Sequence, residues 1–203
     1  GTRLEAQELE GLIVDDGAAL FTAEQFARLR APAPRHFERI VVGVDPPAGR
    51  FGSACGIVVA ARSGDSGYVL EDCTAAGLSP LGWASRAVEA ARRHGAACIV
   101  AEANQGGDMV RAVLAQAAPP CPVKLVHASE GKRARAEPIA LLYEQGRILH
   151  CGALAALEEE MMALGGEASA EASAQASDRA DALVWALSDL MLTARLEPRI
   201  RQL

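Results

Sequence analysis

Five short apolar runs, rich in β-branched residues, recur between Arg39 and Val126, and helical patterns separate the later ones. Runs of this length bounded by turn residues read as buried strands. They are Arg39 to Val44, Cys55 to Ala61, Tyr68 to Cys73, Ala97 to Ala101 and Val123 to Val126. Arg62-Ser-Gly-Asp-Ser-Gly67 joins the second run to the third and has hairpin composition, so the first three strands are expected to form an antiparallel meander. Amphipathic spacing predicts helices over Leu81 to His94, stopped by Gly95, and over Asp108 to Ala117, stopped by Pro119-Pro120. Further helices are expected near Lys132 to Gln145, Ala153 to Leu164 and Asp178 to Ala194. Three hairpin-linked strands followed by β-α-β-α units give a three-layer α/β fold. Its centre is a mixed sheet of five strands or slightly more, flanked by helices.

The flanks differ in character. Residues 1–36 combine a charged start, an Asp15-Asp16-Gly17 turn, a short helical pattern from Thr22 to Arg30 and the exit Ala31-Pro32-Ala33-Pro34. This stretch reads as a linker or edge segment, with the main domain over 37–203. Gly165 to Ser177 holds Gly, Glu, Ala, Ser and Gln without apolar period, and reads as a mobile loop. The opening Gly-Thr-Arg-Leu-Glu is no secretory signal, and the chain is expected to be part of a longer protein. No apolar run reaches the roughly 18 residues of a membrane span, so no membrane association is expected. The five cysteines are scattered, never in a C-x-x-C pair and without zinc spacing to the four histidines. Free buried thiols in a reducing cytoplasm are the expectation.

Three acidic positions sit where apolar elements end: Asp45 after the first strand, Glu102 after the fourth, and Asp178 with Asp181 at the start of the last helix. Ligands of open α/β sheets bind outside the carboxyl ends of parallel strands, so Asp45 and Glu102 become neighbours there if their strands pair. Converging carboxylates repel one another unless a cation holds them, and hard oxygen donors select Mg²⁺ or Mn²⁺. Each acid also has a bland reading. Asp45 before Pro46-Pro47 suits a turn, and Asp178 with Asp181 resembles a capping box. Glu102 has no evident structural duty.

The net charge of −6 argues against a strongly cationic nucleic-acid coat but not against a local basic groove. Lys132, Arg133 and Arg135 cluster at a helix start, where cations oppose the helix dipole, so local stability does not account for them. Phosphate contacts do, and the competing reading is a solvated first turn; Arg111, Lys124 and Arg147 could extend the patch. The Gly-rich stretch Gly43 to Gly56 lacks a following Gly-Lys-Ser/Thr, so no Walker A loop is present. No histidine is convincingly placed beside a nucleophile, which leaves triad catalysis unsupported.

Several longer segments carry a family resemblance: Arg39-Ile-Val-Val-Gly-Val-Asp45-Pro-Pro, Gly77-Leu-Ser-Pro-Leu-Gly-Trp-Ala, and Val100-Ala-Glu102-Ala-Asn-Gln-Gly-Gly-Asp-Met-Val. Further on come Ala128-Ser-Glu-Gly-Lys-Arg-Ala-Arg-Ala-Glu-Pro through Arg147, and Ser177-Asp-Arg-Ala-Asp-Ala-Leu-Val-Trp-Ala-Leu187. Over nearly all of residues 39–190 the chain resembles the C-terminal nuclease domain of the large terminase subunit of tailed bacteriophages and phage-like gene transfer agents. Asp15-Asp-Gly-Ala-Ala-Leu-Phe-Thr resembles the segment that links ATPase to nuclease in that family. The resemblance implies a ribonuclease H-like fold and a metal-dependent endonuclease that cuts concatemeric double-stranded DNA. It implies Asp45, Glu102 and Asp181 as catalytic, metal-binding carboxylates, with Asp178 as an auxiliary ligand of two Mg²⁺ or Mn²⁺ ions. It also implies an ATPase domain ahead of residue 37, portal protein and small terminase subunit as partners, and a bacterial host cytoplasm as the setting.

Within that reading, Lys132, Arg133 and Arg135 would contact the DNA backbone. Two other readings stay open. A Holliday-junction resolvase also begins with a strand ending in Gly-hydrophobic-Asp-Pro, and a non-catalytic module could dock DNA or the portal ring. Actin-like phosphotransfer needs a second lobe for which this length leaves no room.

Overall fold

The computed structural model describes residues 19–47, 53–104, 106–164 and 177–193. The Asp15-Asp16-Gly17 turn and all but the last residue of the polar 165–177 stretch lie outside them. The chain runs α1 (Ala23–Arg28), β1 (Arg39–Asp45), β2 (Ala54–Ser63), β3 (Ser66–Asp72), β4 (Ala75–Ala76) and α2 (Pro80–His94). It continues with β5 (Cys98–Glu102), α3 (Gly107–Gln116), β6 (Val123–Val126), α4 (Lys132–Glu144), β7 (Ile148–His150), α5 (Ala155–Leu164) and α6 (Asp178–Leu187). A π-helical turn, Ser188–Leu192, follows α6 where an unbroken helix to Ala194 was expected.

The sheet is mixed, in the order β6-β5-β1-β2-β3-β7, with β4 paired to β2 off that path. β1, β2 and β3 form the expected antiparallel meander, and Ser63 pairs with Ser66 around the hairpin. β5 joins β1 in parallel, β6 joins β5 in parallel, and β7 closes the other edge parallel to β3. The two strands beyond the expected five are β4 and β7, with two and three residues. Runs so short carry neither alternation nor β-branched enrichment, and only tertiary pairing makes them strands.

Strand alternation sends side chains to two separate cores. Val41, Val58, Ala60, Val69 and Val100 face α1, α4, α5 and α6. Val42, Val44, Ile57, Val59, Ile99 and Ala101 face α2 and α3, around Trp83 and Leu114. Both faces are therefore covered, which is why these strands read as continuous apolar runs. Helix ends follow local chemistry. Ser79 caps α2 by accepting from the Gly82 N–H, Pro80 fills its first turn, and Gly95 ends it in the left-handed region (φ 61°). Pro138 sits inside α4, with Pro138 and Ala134 both exposed, so water can serve the carbonyl that the missing N–H leaves open. Cys55, Cys73 and Cys98 are buried, Cys121 and Cys151 half-buried, and all five thiols are free. No helix of the described residues is long and apolar enough to cross a membrane.

The segment before β1 packs onto the larger core. Phe21 and Phe26 are buried and meet Tyr143 edge-on, at ring separations of 5.4 and 5.6 Å. Beneath them lies a buried polar chain. His150 bonds the Tyr143 hydroxyl through Nε2 (2.7 Å) and Glu158 through Nδ1 (2.9 Å), and Arg30 grips both Glu158 oxygens at 3.0 and 2.8 Å. Burial pushes the His150 imidazole below its usual value, against the pull of Glu158. Burial alone would raise Glu158, but bonds from Arg30 and His150 hold it below the usual range.

Two outcomes are expected. A His150 that is neutral when folded must charge once unfolded, so stability is full above about pH 6.5 and falls as the pH drops below it. Urea melts at pH 7.5 and 5.5 should show that loss, and His150→Gln should flatten it. Glu158→Ala, which strands Arg30 beside His150, should cost about 3 kcal/mol in the same assay.

Candidate active site at the carboxyl edge of the sheet

β1 and β5 run parallel and in register, Val44 opposite Ala101, so the next residues, Asp45 and Glu102, leave the same edge side by side. By strand parity both share the face of Val41 and Val100, the side covered by α6. That helix lies against the sheet because two glycines let it. A Cβ at Gly43 would collide with the Ala182 carbonyl oxygen, and one at Gly56 with the Asp178 carbonyl oxygen. Gly56 pairs directly with Asp45 across the β1–β2 ladder. The first turn of α6, carrying Asp178 and Asp181, is thereby pressed over the strand that ends in Asp45.

The capping reading of Asp178 and Asp181 fails. Ser177 makes no side-chain cap, and its hydroxyl instead donates to Asp181 Oδ2 (2.9 Å). Glu160 of α5 caps α6 from outside, accepting the Arg179 and Ala180 N–H groups at 2.8 and 3.3 Å. Arg179 answers with ion pairs to Glu160 and Asp72. Neither α6 aspartate is needed to finish the helix.

The carboxylates at this edge feel one another. Burial, then Asp181, Glu102 and Asp178, push the Asp45 carboxyl up to about 8, with Lys132 pulling it down. Asp178 is likewise raised, first by burial and then by Glu160, with Asp181 adding to it and Lys132 opposing. Among the described residues, neither Asp45 nor Asp178 accepts a side-chain hydrogen bond. Asp181 is buried and fully engaged: Lys132 Nζ lies 2.7 Å from Oδ2, and the Arg135 guanidinium 2.8 Å from Oδ1. Burial works against the Lys132 ammonium, but the bond to Asp181 and the charges of Asp181, Asp45 and Asp178 hold its pKa above the usual lysine value. Lys132 also donates to the Ser177 hydroxyl. Among the described residues, no group of three or more carboxylate, imidazole or thiol side chains is close enough together to hold a metal ion as the side chains stand. The counter-charge at this edge comes from α4.

Glu102 is held at both oxygens. Asn104 donates to Oε1, and the Trp185 indole N–H donates to Oε2 at 2.7 Å. Asn104 also accepts the Ala128 N–H (2.6 Å), tying the edge to the segment that leads into α4. Asn104 and Trp185 escaped the sequence reading, although both lie within the segments that carry the family resemblance. Gly43 and Gly56 escaped too, because a glycine within a strand does not reveal what approaches it.

The basic cluster divides. Lys132 is 44% exposed and sits at the acidic edge, and Arg133 is on the outer surface beside Glu137 (3.6 Å). Arg135 differs from its expected role as a DNA contact: its side chain is 11% exposed, turned inward onto Asp181 and the Trp185 ring. Lys124 is bound to the buried Asp189, which also holds Arg39, and Arg147 reaches Asp65 at the hairpin tip. Neither extends the patch at this edge.

Replacing Gly43 or Gly56 with Ala forces α6 off the sheet. A loss of about 3 kcal/mol in urea unfolding is expected for each, because the opposing atom is backbone and cannot rotate away. Gly64→Ala, at a positive-φ hairpin position with open space around it, should cost about 1 kcal/mol.

Comparison with known proteins places this architecture. The model of the terminase RNaseH-like domain matches residues 42–190. No curated protein sequence matches significantly. The nuclease domain of the large terminase subunit gp2 of bacterial virus Sf6 aligns with a TM-score of 0.63 at 15% identity, over 82% of this chain and 97% of that one. The large terminase nuclease of thermophilic phage G20c gives 0.58 at 16% identity, covering 85% and 98%. The human cytomegalovirus terminase nuclease domain gives 0.59 at 13%, covering 82% and 93%. At these identities the structures share a fold, and the family match runs from inside β1 to the π-helical turn after α6. The chain belongs to the terminase RNaseH-like domain family.

Proposed function

We propose that this chain is the divalent-metal-dependent endonuclease domain of a DNA-packaging terminase large subunit. It would cut concatemeric double-stranded DNA with little sequence preference, in a bacterial host cell, alongside an ATPase domain, a portal protein and a small terminase subunit. One observation carries the reading: Asp45, Glu102, Asp178 and Asp181, from three elements, gather at one sheet edge, where burial first and then the charges of the other three raise the Asp45 carboxyl to about 8. Among the fold relatives, the cytomegalovirus domain is manganese-soaked and inhibitor-bound, and a variant of the Sf6 domain has been solved with manganese and with calcium.

The donor set fits a hard divalent cation, being all carboxylate oxygen, partly buried and in excess of its local counter-charge. Asp45, Glu102 and Asp181 would hold two Mg²⁺ or Mn²⁺ ions, with Asp178 auxiliary. When bound, such ions polarise the attacking water and offset charge on the phosphate and the leaving oxygen. This chain's own residues set the conditions. Gly43 and Gly56 admit the helix that delivers Asp178 and Asp181, and Asn104 and Trp185 orient Glu102. Lys132 shares Asp181 Oδ2 with Ser177, and an ammonium and a divalent ion compete for one oxygen. If that oxygen were given to a metal, the half-exposed Lys132 ammonium would be left at the rim, where a phosphate backbone would lie.

Asp45→Asn, Glu102→Gln and Asp181→Asn should each lower plasmid cleavage in Mn²⁺ by more than about 100-fold with near-UV circular dichroism unchanged, and Asp178→Asn should lower it less. Mn²⁺ should raise the melting temperature of the wild type and not of these three variants. Cleavage at the wild-type rate by any of the three would remove that residue from the site.

Lys132→Met should bind Mn²⁺ about fivefold more tightly by calorimetry, the equivalent of one half-exposed ion pair near 1 kcal/mol. The Lys132→Ala, Arg133→Ala double variant should weaken duplex binding equally for unrelated sequences. It should also flatten the slope of log affinity against log salt by roughly 0.9 per lost contact. An unchanged slope would return both residues to the role of a solvated helix face.

A further inference from the structure

Arg135 and Trp185 join two of the carboxylates assigned above to metal. The Trp185 indole N–H donates to Glu102 Oε2 (2.7 Å), the Arg135 guanidinium lies 5.0 Å from the centre of the Trp185 ring, and it donates to Asp181 Oδ1 (2.8 Å) and to the Glu130 carbonyl (3.1 Å). The chain Glu102–Trp185–Arg135–Asp181 thus crosses three elements, β5, α6 and α4. Trp185 follows Asp181 by one helical turn, so both lie on one face of α6.

We propose that Trp185 and Arg135 are positioning residues, a clasp that fixes Glu102 and Asp181 relative to one another for metal binding. The proposal rests on the metal-site reading of this edge. An indole N–H is donor only, so it selects which Glu102 oxygen turns inward and leaves the other to Asn104. A guanidinium held over a ring is restricted in where it can sit, so the donor it offers Asp181 is aimed as well as charged. Burial of Arg135 serves no economy of its own. Its Nε is buried without a hydrogen-bond partner, a cost the fold carries while the other side of the group holds Asp181 and Trp185. Partners of this kind orient metal-binding carboxylates, and their loss typically weakens metal affinity by about 10- to 100-fold.

The test uses Mn²⁺ as probe on this chain and on Trp185→Phe, which keeps a six-membered aromatic ring beside Arg135 but removes the pyrrole part of the indole and with it the N–H that holds Glu102. Calorimetry should show Mn²⁺ binding weakened by about 10- to 100-fold in the variant, with the metal-free melting temperature unchanged. Independently, paramagnetic Mn²⁺ should quench indole emission in the wild type where Mg²⁺ does not. That quenching should vanish in Trp185→Phe, whose remaining indole, Trp83, is buried in the core on the other face of the sheet. Equal Mn²⁺ affinity in the two proteins would overturn the clasp and leave the metal site standing. A wild type that binds no Mn²⁺ would overturn both. If Trp185→Phe does not fold, the wild-type protein decides alone, and Mn²⁺ binding without quenching overturns the clasp.

Discussion

The close approach of α6 to β1 and β2 is the contact on which the rest of the acidic edge depends. A helix normally rests on a sheet through its side chains. Here the carbonyl oxygens of Asp178 and Ala182 stand where Cβ atoms of Gly56 and Gly43 would be, so backbone meets backbone. That intimacy has two effects. It buries Asp181 almost completely, and it brings the start of α6 over the end of β1. A larger residue at either glycine would lift the helix and separate the aspartates from Asp45, whatever became of the rest of the core.

Burying carboxylates at such a contact is costly unless something answers their charge. The fold answers only part of it. Arg135 and Lys132 of α4 neutralise Asp181, while Glu160, which takes over the capping of α6 and so leaves Asp178 unconsumed by it, adds negative charge beside Asp178. Among the described residues Asp45 receives no such partner, and burial, then its acidic neighbours, raise its carboxyl to about 8. The edge is therefore balanced in part by groups the protein can rearrange, and left short of positive charge at the strand end. The π-helical turn after α6 shows the contrast. There the buried Asp189 is bound on both sides, by Arg39 and Lys124, at 2.7 and 2.8 Å, as a settled structural pair would be.

Much of this was legible in the sequence, and the reasons are uneven. The long strands were readable because both faces of the sheet are covered, which makes them continuously apolar. The acids stood out because each follows such a run, and parallel pairing of β1 with β5 converts that position into adjacency. β4 and β7 are too short to leave a pattern. The glycines, Asn104 and Trp185 belong to contacts between elements distant in sequence, on which local periodicity is silent. Arg135 shows the same limit from the other direction. Charge clustering grouped it with Lys132 and Arg133, but the helical repeat separates them: one residue faces the edge, one the outer surface, one the protein interior.

That separation bears on how an acidic protein edge could accept a polyanion at all. A site with four carboxylates and a net negative chain repels a phosphate backbone until cations intervene. Fixed surface cations alone would attract DNA without preparing the carboxylates, and mobile divalent ions alone would leave those carboxylates repelling one another whenever the ions were absent. Lys132 on Asp181 Oδ2 bears on both requirements: the ammonium steadies the edge as it stands, and under the proposed function it would become available if a divalent ion took that oxygen. Arg135 lies over the Trp185 ring with little access to solvent. The first helical turn of α4 thus carries one exposed counter-charge and one enclosed one, three residues apart.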